Sequence, residues 1–89
     1  LADLEPADGA RLFVVGLRLA AALRSSGVRC EGVDFFLADG EAAGQEIFHV
    51  HLHVFPRFPG DGVHLETTRI AHPPRPELEA TAACIRDAL

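Results

Sequence analysis

The sequence has no methionine, only two cysteines, no long apolar run and no excess of positive charge. Its longest uninterrupted apolar stretches are four or five residues, far short of the roughly 20 that a membrane-spanning helix needs. No positively charged segment leads into an apolar one at the start, so no secretory signal is expected. Cys30 and Cys84 match no metal-clip spacing. Such sparse use suits a reducing compartment, the cytoplasm, with both thiols expected in the core. Acidic residues outnumber basic ones 13 to 8, for a formal charge of −5. That sign gives no long-range attraction for nucleic acid and argues against a duplex-binding module. A small anion site built from backbone N–H groups and a few side chains is still allowed. A chain without methionine that opens at Leu1 leads us to expect further sequence upstream.

What is present is globular in composition: 89 residues, 48% hydrophobic and 24% charged. That is room for one domain with a thin core. Pro6 keeps Glu5 out of helical geometry, and Asp8 is the expected N-cap of a helix through about Ser25. Leu12, Val15, Leu19 and Leu23 recur at helical spacing, with Gly16 and Ala20 between them. Gly27 is a natural residue to end this helix. Val33, Phe35 and Leu37 alternate with Asp34 and Phe36, as in a strand. Residues 38–44 form a loop of small and turn-forming residues. Ile47 to Phe55 reads as a second strand, with Pro56 ending its central part. Residues 63–71 read as an irregular extended segment. Pro73, Pro74 and Pro76 then lead into a C-terminal helix carrying Leu78, Ala82, Ile85 and Leu89, with Pro76 or Glu77 in its first turn. Two strands alone make a marginal sheet, so more are expected from upstream sequence or from a second chain.

The chemistry-bearing feature is in the second strand. His49, His51 and His53 stand at i, i+2 and i+4, interleaved with Val50, Leu52 and Val54. Period two puts the three imidazoles on one face and the aliphatic residues on the other. Core packing explains the aliphatic face and leaves three readings of the imidazole face. One is a polar sheet face that happens to use histidine. The second is a metal site, in which two of the rings share Zn²⁺ and His64 or His72 adds a ligand. All three rings on one ion is awkward, because the outer Cα atoms lie roughly 13 Å apart at about 3.3 Å per residue. The third is chemistry at phosphorus. Neutral imidazole is a nucleophile near pH 7 and its cation a proton donor in the same range. One ring could attack while a neighbour serves the leaving group. Gly40 and Gly44 would let backbone N–H groups approach an oxyanion, and Gln45 would supply a neutral amide donor.

The run Gly44-Gln45-Glu46-Ile47-Phe48-His49-Val50-His51-Leu52-His53-Val54-Phe55-Pro56-Arg57 resembles the signature of the histidine triad (HIT) family, His-φ-His-φ-His-φ-φ with φ hydrophobic. Asp39-Gly40-Glu41-Ala42-Ala43 before it and Pro56-Arg57 at its end are similar to the family as well. The resemblance covers residues 1–62, as the C-terminal two-thirds of a HIT domain; residues 63–89 are an extension with a terminal helix. It implies an α+β fold, an antiparallel sheet with a long helix, completed by upstream strands and by homodimerisation. No cofactor and no metal are expected. The resemblance implies a hydrolase or nucleotidyl transferase that cleaves at the α-phosphate of a purine nucleoside phosphate derivative, a phosphoramidate or dinucleoside polyphosphate, through a covalent nucleotidyl-histidine.

By the same resemblance His51 is the nucleophile, the His49 carbonyl orients its other ring nitrogen, and His53 faces the phosphate and scissile bridge. Gly40, Gly44 and Gln45 belong to the phosphate loop. Two departures stand out. Many members carry Asn or Gln at the position matching Ala38, where it helps hold phosphate. The family's leading helix and hairpin, with a further histidine, precede the region that Leu1 matches. A nucleotide-binding or sensing module without turnover is the alternative. Arg57 is open between steadying polyphosphate and lying solvated. Asp39, Glu46 and His72 read as loop or surface residues. Phe35, Phe36, Phe55 and Phe58 read as packing.

Overall fold

The computed structural model describes residues 1–63 and 72–89. Helix α1 (Pro6–Ser25) is followed by strand β1 (Gly32–Phe36), a single 3-10 turn (Glu41–Ala43), strand β2 (His53–Arg57) and helix α2 (Arg75–Asp87). The class is α+β, with an antiparallel β1–β2 pair.

Helix α1 starts earlier than an Asp8 cap would allow. Glu5 is the N-cap, in extended geometry at φ −62° and ψ 135°, and Pro6 opens the helix. A proline at the first position gives up an N–H that would be unpaired there in any case, and its fixed φ is already helical. Asp8 therefore falls within the first turn, where its charge complements the helix dipole. At the other end, Ser25 and Ser26 hydroxyls donate back to the Ala21 and Leu23 carbonyls at 3.2 Å each. Gly27, at φ +86°, turns the chain toward β1.

The buried side of α1 is made mostly of small residues. Gly16, Ala20, Ala22 and Leu23 are buried. A Cβ on Gly16 would stand 3.0 Å from Phe35 Cε2 and 3.3 Å from Leu52 Cδ2. The missing side chain is what lets the helix lie so close to the strands. This seam is rotated from the expected stripe: Leu12 and Leu19 are half-buried, and Val15 is exposed. Phe13, next to it, reaches Phe35 edge-on at 5.7 Å between ring centroids.

The ladder sets Phe36 opposite His53, Phe35 opposite Val54, Asp34 opposite Phe55, Val33 opposite Pro56 and Gly32 opposite Arg57. Alternation therefore puts Val33, Phe35, Val54 and Pro56 on the α1 side. Asp34, Phe36, His53, Phe55 and Arg57 share the other face. The second strand is displaced from the expected span of 47–55. Strand β1 ends at Phe36, whose partner is His53, so residues before His53 have no ladder neighbour in β1. Pro56 lies within β2 rather than ending it. Among the described residues the ladder has two strands, so each is an edge, where a missing N–H is tolerated.

Helix α2 begins after Pro74 with Pro76 in its first turn, as the sequence suggests, and ends before Leu89. It packs on α1. Neither thiol is in a dry core: Cys30 is half-buried with Sγ 3.1 Å from the Gly32 carbonyl, and Cys84 is exposed on α2. Val63 is in no strand, and the rest of the extended segment expected to Ala71 lies outside the described residues.

Candidate functional site

The three histidines straddle the start of β2. His49 closes a bend at 47–49, His51 lies in no ladder among the described residues, and His53 is the first residue of the strand. Their rings nevertheless form one file. Centroids of His49 and His51 are 5.8 Å apart, and those of His51 and His53 are 5.0 Å apart, both edge-to-face. His53 then stacks on Phe55 at 5.7 Å with the planes 3° apart. Phe36 flanks His53 from β1 at 6.0 Å. His51 is half-buried, between exposed His49 and His53.

His51 Nδ1 lies 2.9 Å from the backbone carbonyl of His49. A carbonyl oxygen can only accept, so the contact is a hydrogen bond when Nδ1 carries the proton. In the neutral ring that leaves the lone pair on Nε2.

The loop before the file is closed on itself. The Gly40 N–H donates to Gln45 Oε1 at 2.7 Å, and the Gln45 N–H returns to the Gly40 carbonyl at 3.2 Å. The Gly44 N–H donates to the Glu41 carbonyl at 2.9 Å. Both glycine N–H groups that the sequence offers to an oxyanion are thus engaged inside the loop. Both glycines have φ +90°, a region that favours glycine. The Gln45 amide donates onward from Nε2 to the carbonyls of Phe48 at 3.2 Å and His49 at 3.3 Å. Glu41, Gly44, Gln45, Glu46, Ile47 and Phe48 line an open groove beside His49.

Arg57 is neither solvated nor free. Nε donates to Asp61 at 2.7 Å, one terminal nitrogen reaches the other Asp61 oxygen at 3.2 Å, and the second pairs with Asp34 across the ladder. Asp61 also accepts the N–H groups of Phe58 and Val63 at 3.1 Å each. These donors, Arg57 first, hold the Asp61 carboxyl well below the usual carboxylate range, and the two carboxylates raise the Arg57 guanidinium. Sequence reading missed this triad. Its signals were present: Asp61 sits in a Pro-Gly-Asp-Gly turn four residues after Arg57, and strand alternation puts Asp34 on the Arg57 face. Arg29 stacks over Phe58 at 4.1 Å, adding a cation–π contact at that turn.

His72 is exposed in the loop before α2. His64, the other suggested fourth ligand, lies outside the described residues. Among the described residues, no group of three or more His, Cys, Asp or Glu side chains is gathered so that it could hold a metal ion. No helix among them is long and apolar enough to cross a membrane.

A family model described as the HIT domain matches residues 1–60. An uncharacterized HIT-like protein of Mycobacterium tuberculosis is 35% identical over all 89 residues, which cover 60% of its length. The nitrilase and fragile histidine triad fusion protein NitFhit of Caenorhabditis elegans is 38% identical over 61 residues, 68% of this chain and 14% of that protein. Among solved structures, a Zn-bound histidine triad family protein from Mycobacterium smegmatis superposes with a TM-score of 0.83 at 38% identity, over 99% of this chain and 58% of that one. The chain thus spans about three-fifths of the length of these two mycobacterial relatives.

Proposed function

The chain belongs to the HIT-domain family, and on that premise we propose that it carries the nucleophile of a nucleotide hydrolase or nucleotidyl transferase. The substrate is a purine nucleoside phosphate derivative, a phosphoramidate or a dinucleoside polyphosphate. His51 Nε2 attacks the α-phosphorus. The N–P bond forms as the bond to the leaving group breaks, and the leaving group departs with that electron pair and takes a proton, with His53 as the nearest ring to give it. Water then attacks phosphorus as the N–P bond breaks and returns its electron pair to Nε2; the water's proton passes to His53, and the nucleoside monophosphate is released.

One observation carries this reading: the 2.9 Å contact between His51 Nδ1 and the His49 carbonyl. In the covalent intermediate Nε2 is bonded to phosphorus while Nδ1 keeps its proton, so the ring is a cation. A carbonyl already aimed at Nδ1–H stabilises the charge as it develops and needs no rearrangement to do so. His53, 5.0 Å away between centroids, is close enough to serve the same phosphoryl group. Gly40 and Gly44 belong to the site as the frame of the loop, since their own N–H groups are engaged within it. Joining the sheets of two protomers fits strands whose outer edges are unpaired among the described residues, and the homodimer is part of the proposal.

The Mycobacterium smegmatis relative is Zn-bound. The described residues of this chain do not gather three ligands for such an ion, so no step is routed through one. A second reading has one observation in its favour. Ala38 is buried two residues beyond the end of β1 and has no polar side-chain atom to offer a phosphate. A module that binds nucleotide without turnover would tolerate that.

Steady-state hydrolysis of adenosine phosphoramidate tests the proposal. The expected result is turnover by the wild type, abolished in His51→Ala and indifferent to a strong chelator. A His51→Ala variant with an unchanged rate refutes it. Tight nucleotide binding by calorimetry with no hydrolysis selects the second reading.

A further inference from the structure

We infer that Gln45 is a positioning residue for His51, acting through the backbone carbonyl of His49. His49 lies in a bend outside the ladder, with its side chain exposed. Among the described residues no strand partner fixes its carbonyl, yet the state of His51 depends on where that carbonyl points. The group that reaches it is the Gln45 amide, whose Nε2 donates to the His49 carbonyl at 3.3 Å and to that of Phe48 at 3.2 Å.

The amide is held at its other end. Its Oε1 accepts the Gly40 N–H at 2.7 Å, and the Gln45 backbone N–H returns to Gly40 at 3.2 Å. These partners also fix which way the amide faces. Turned over, the oxygen would meet two carbonyls and the NH₂ group would meet an N–H, so three attractive contacts would become repulsive. Gly40 contributes through its backbone: φ +90° and ψ 156° is a region essentially closed to other residues. The relay runs from the Gly40 N–H through the Gln45 amide to the His49 carbonyl and on to His51 Nδ1–H. Without it the carbonyl is free to turn, and His51 can place its proton on Nε2, where it blocks the nucleophilic lone pair. Every polar atom of the amide is engaged with protein, so Gln45 acts on His51 rather than on substrate.

The test uses Gln45→Glu, which keeps an acceptor for Gly40 but cannot donate to the carbonyls, and Gln45→Ala, which removes both ends without adding charge. Long-range ¹H–¹⁵N correlation spectra at about pH 8.5, where a typical imidazole is neutral, report which His51 nitrogen is protonated. Nδ1–H is expected in the wild type and a mixture with Nε2–H in both variants. In the phosphoramidate assay kcat should fall about 10- to 100-fold, the scale known for losing a partner that orients a metal-bound histidine, with KM little changed. His51 holding its proton on Nδ1 in both variants overturns the inference. So does a rise in KM with kcat unchanged, which marks direct contact with substrate. The kinetic arm rests on the proposed function and the spectroscopic arm does not. A wild type that turns over nothing therefore removes that function while the tautomer result still decides the role of Gln45.

Discussion

Two glycines in the same helix should respond to alanine with opposite signs. In an isolated helix either Gly→Ala change stabilises by up to about 1 kcal/mol. At Gly9 the new Cβ would meet only Leu4 Cδ2 at 3.5 Å, an ordinary contact, so a gain of about 0.5 kcal/mol is expected near the helix start. At Gly16 the Cβ would arrive 3.0 Å from Phe35 Cε2 and 3.3 Å from both Phe35 Cζ and Leu52 Cδ2. Phe35 yields only at a cost, because its ring is rigid and Phe13 packs edge-on against it at 5.7 Å. Overpacking of this kind costs about 1–3 kcal/mol. Set against the propensity gain, Gly16→Ala should lose about 1 kcal/mol, or about 4–8 °C in Tm for a domain of this size. Far-UV circular dichroism during urea unfolding is the appropriate assay, since the chain has no Trp or Tyr to report by fluorescence. Gly16→Ala stabilising the protein as much as Gly9→Ala would refute the close approach of α1 to the strands. It would also undermine the support of Leu52, which lies between His51 and His53.

Arg57→Met should change how stability depends on acid. The Asp61 carboxyl is depressed in the folded state, chiefly by Arg57. Its contribution is therefore complete above the ordinary carboxylate range near pH 4 and is lost as pH falls below it. Urea midpoints between neutral pH and about pH 3 should fall less steeply in Arg57→Met than in wild type; parallel profiles would show that the ion triad contributes nothing. Phe48 is 99% exposed, so Phe48→Ser should leave the unfolding midpoint of the isolated chain within about 0.5 kcal/mol of wild type. A larger loss would mean that the ring is buried in solution, as against a second protomer.

The file of histidines was legible because strand periodicity is local. Alternation at 49, 51 and 53 requires only an extended backbone, and the three rings do line up on one side even though two of them lie outside the ladder. The ladder itself was not legible. Its extent depends on where β1 stops, and nothing within residues 47–52 encodes that Phe36 is the last partner. The helix boundary moved for a local reason, Pro6 being better placed as first residue than as the end of a loop. The packing seam moved for a tertiary one. Hydrophobicity pointed to Val15, but the closest approach to the sheet is made where side chains are smallest, at Gly16 and Ala20. Gly40, Gly44 and Gln45 were recognisable as a loop leading into the histidine segment. That the loop would spend its donors on itself depends on φ, ψ and side-chain geometry that sequence patterns do not carry.

The most direct test of the account is trapping. Protein mixed with adenosine phosphoramidate and quenched in base, where phosphohistidine-type bonds survive, should show by mass spectrometry one added adenylyl group, mapped to His51 and absent from His51→Ala. An adduct on His49 or His53, or full turnover by His51→Ala, would contradict it.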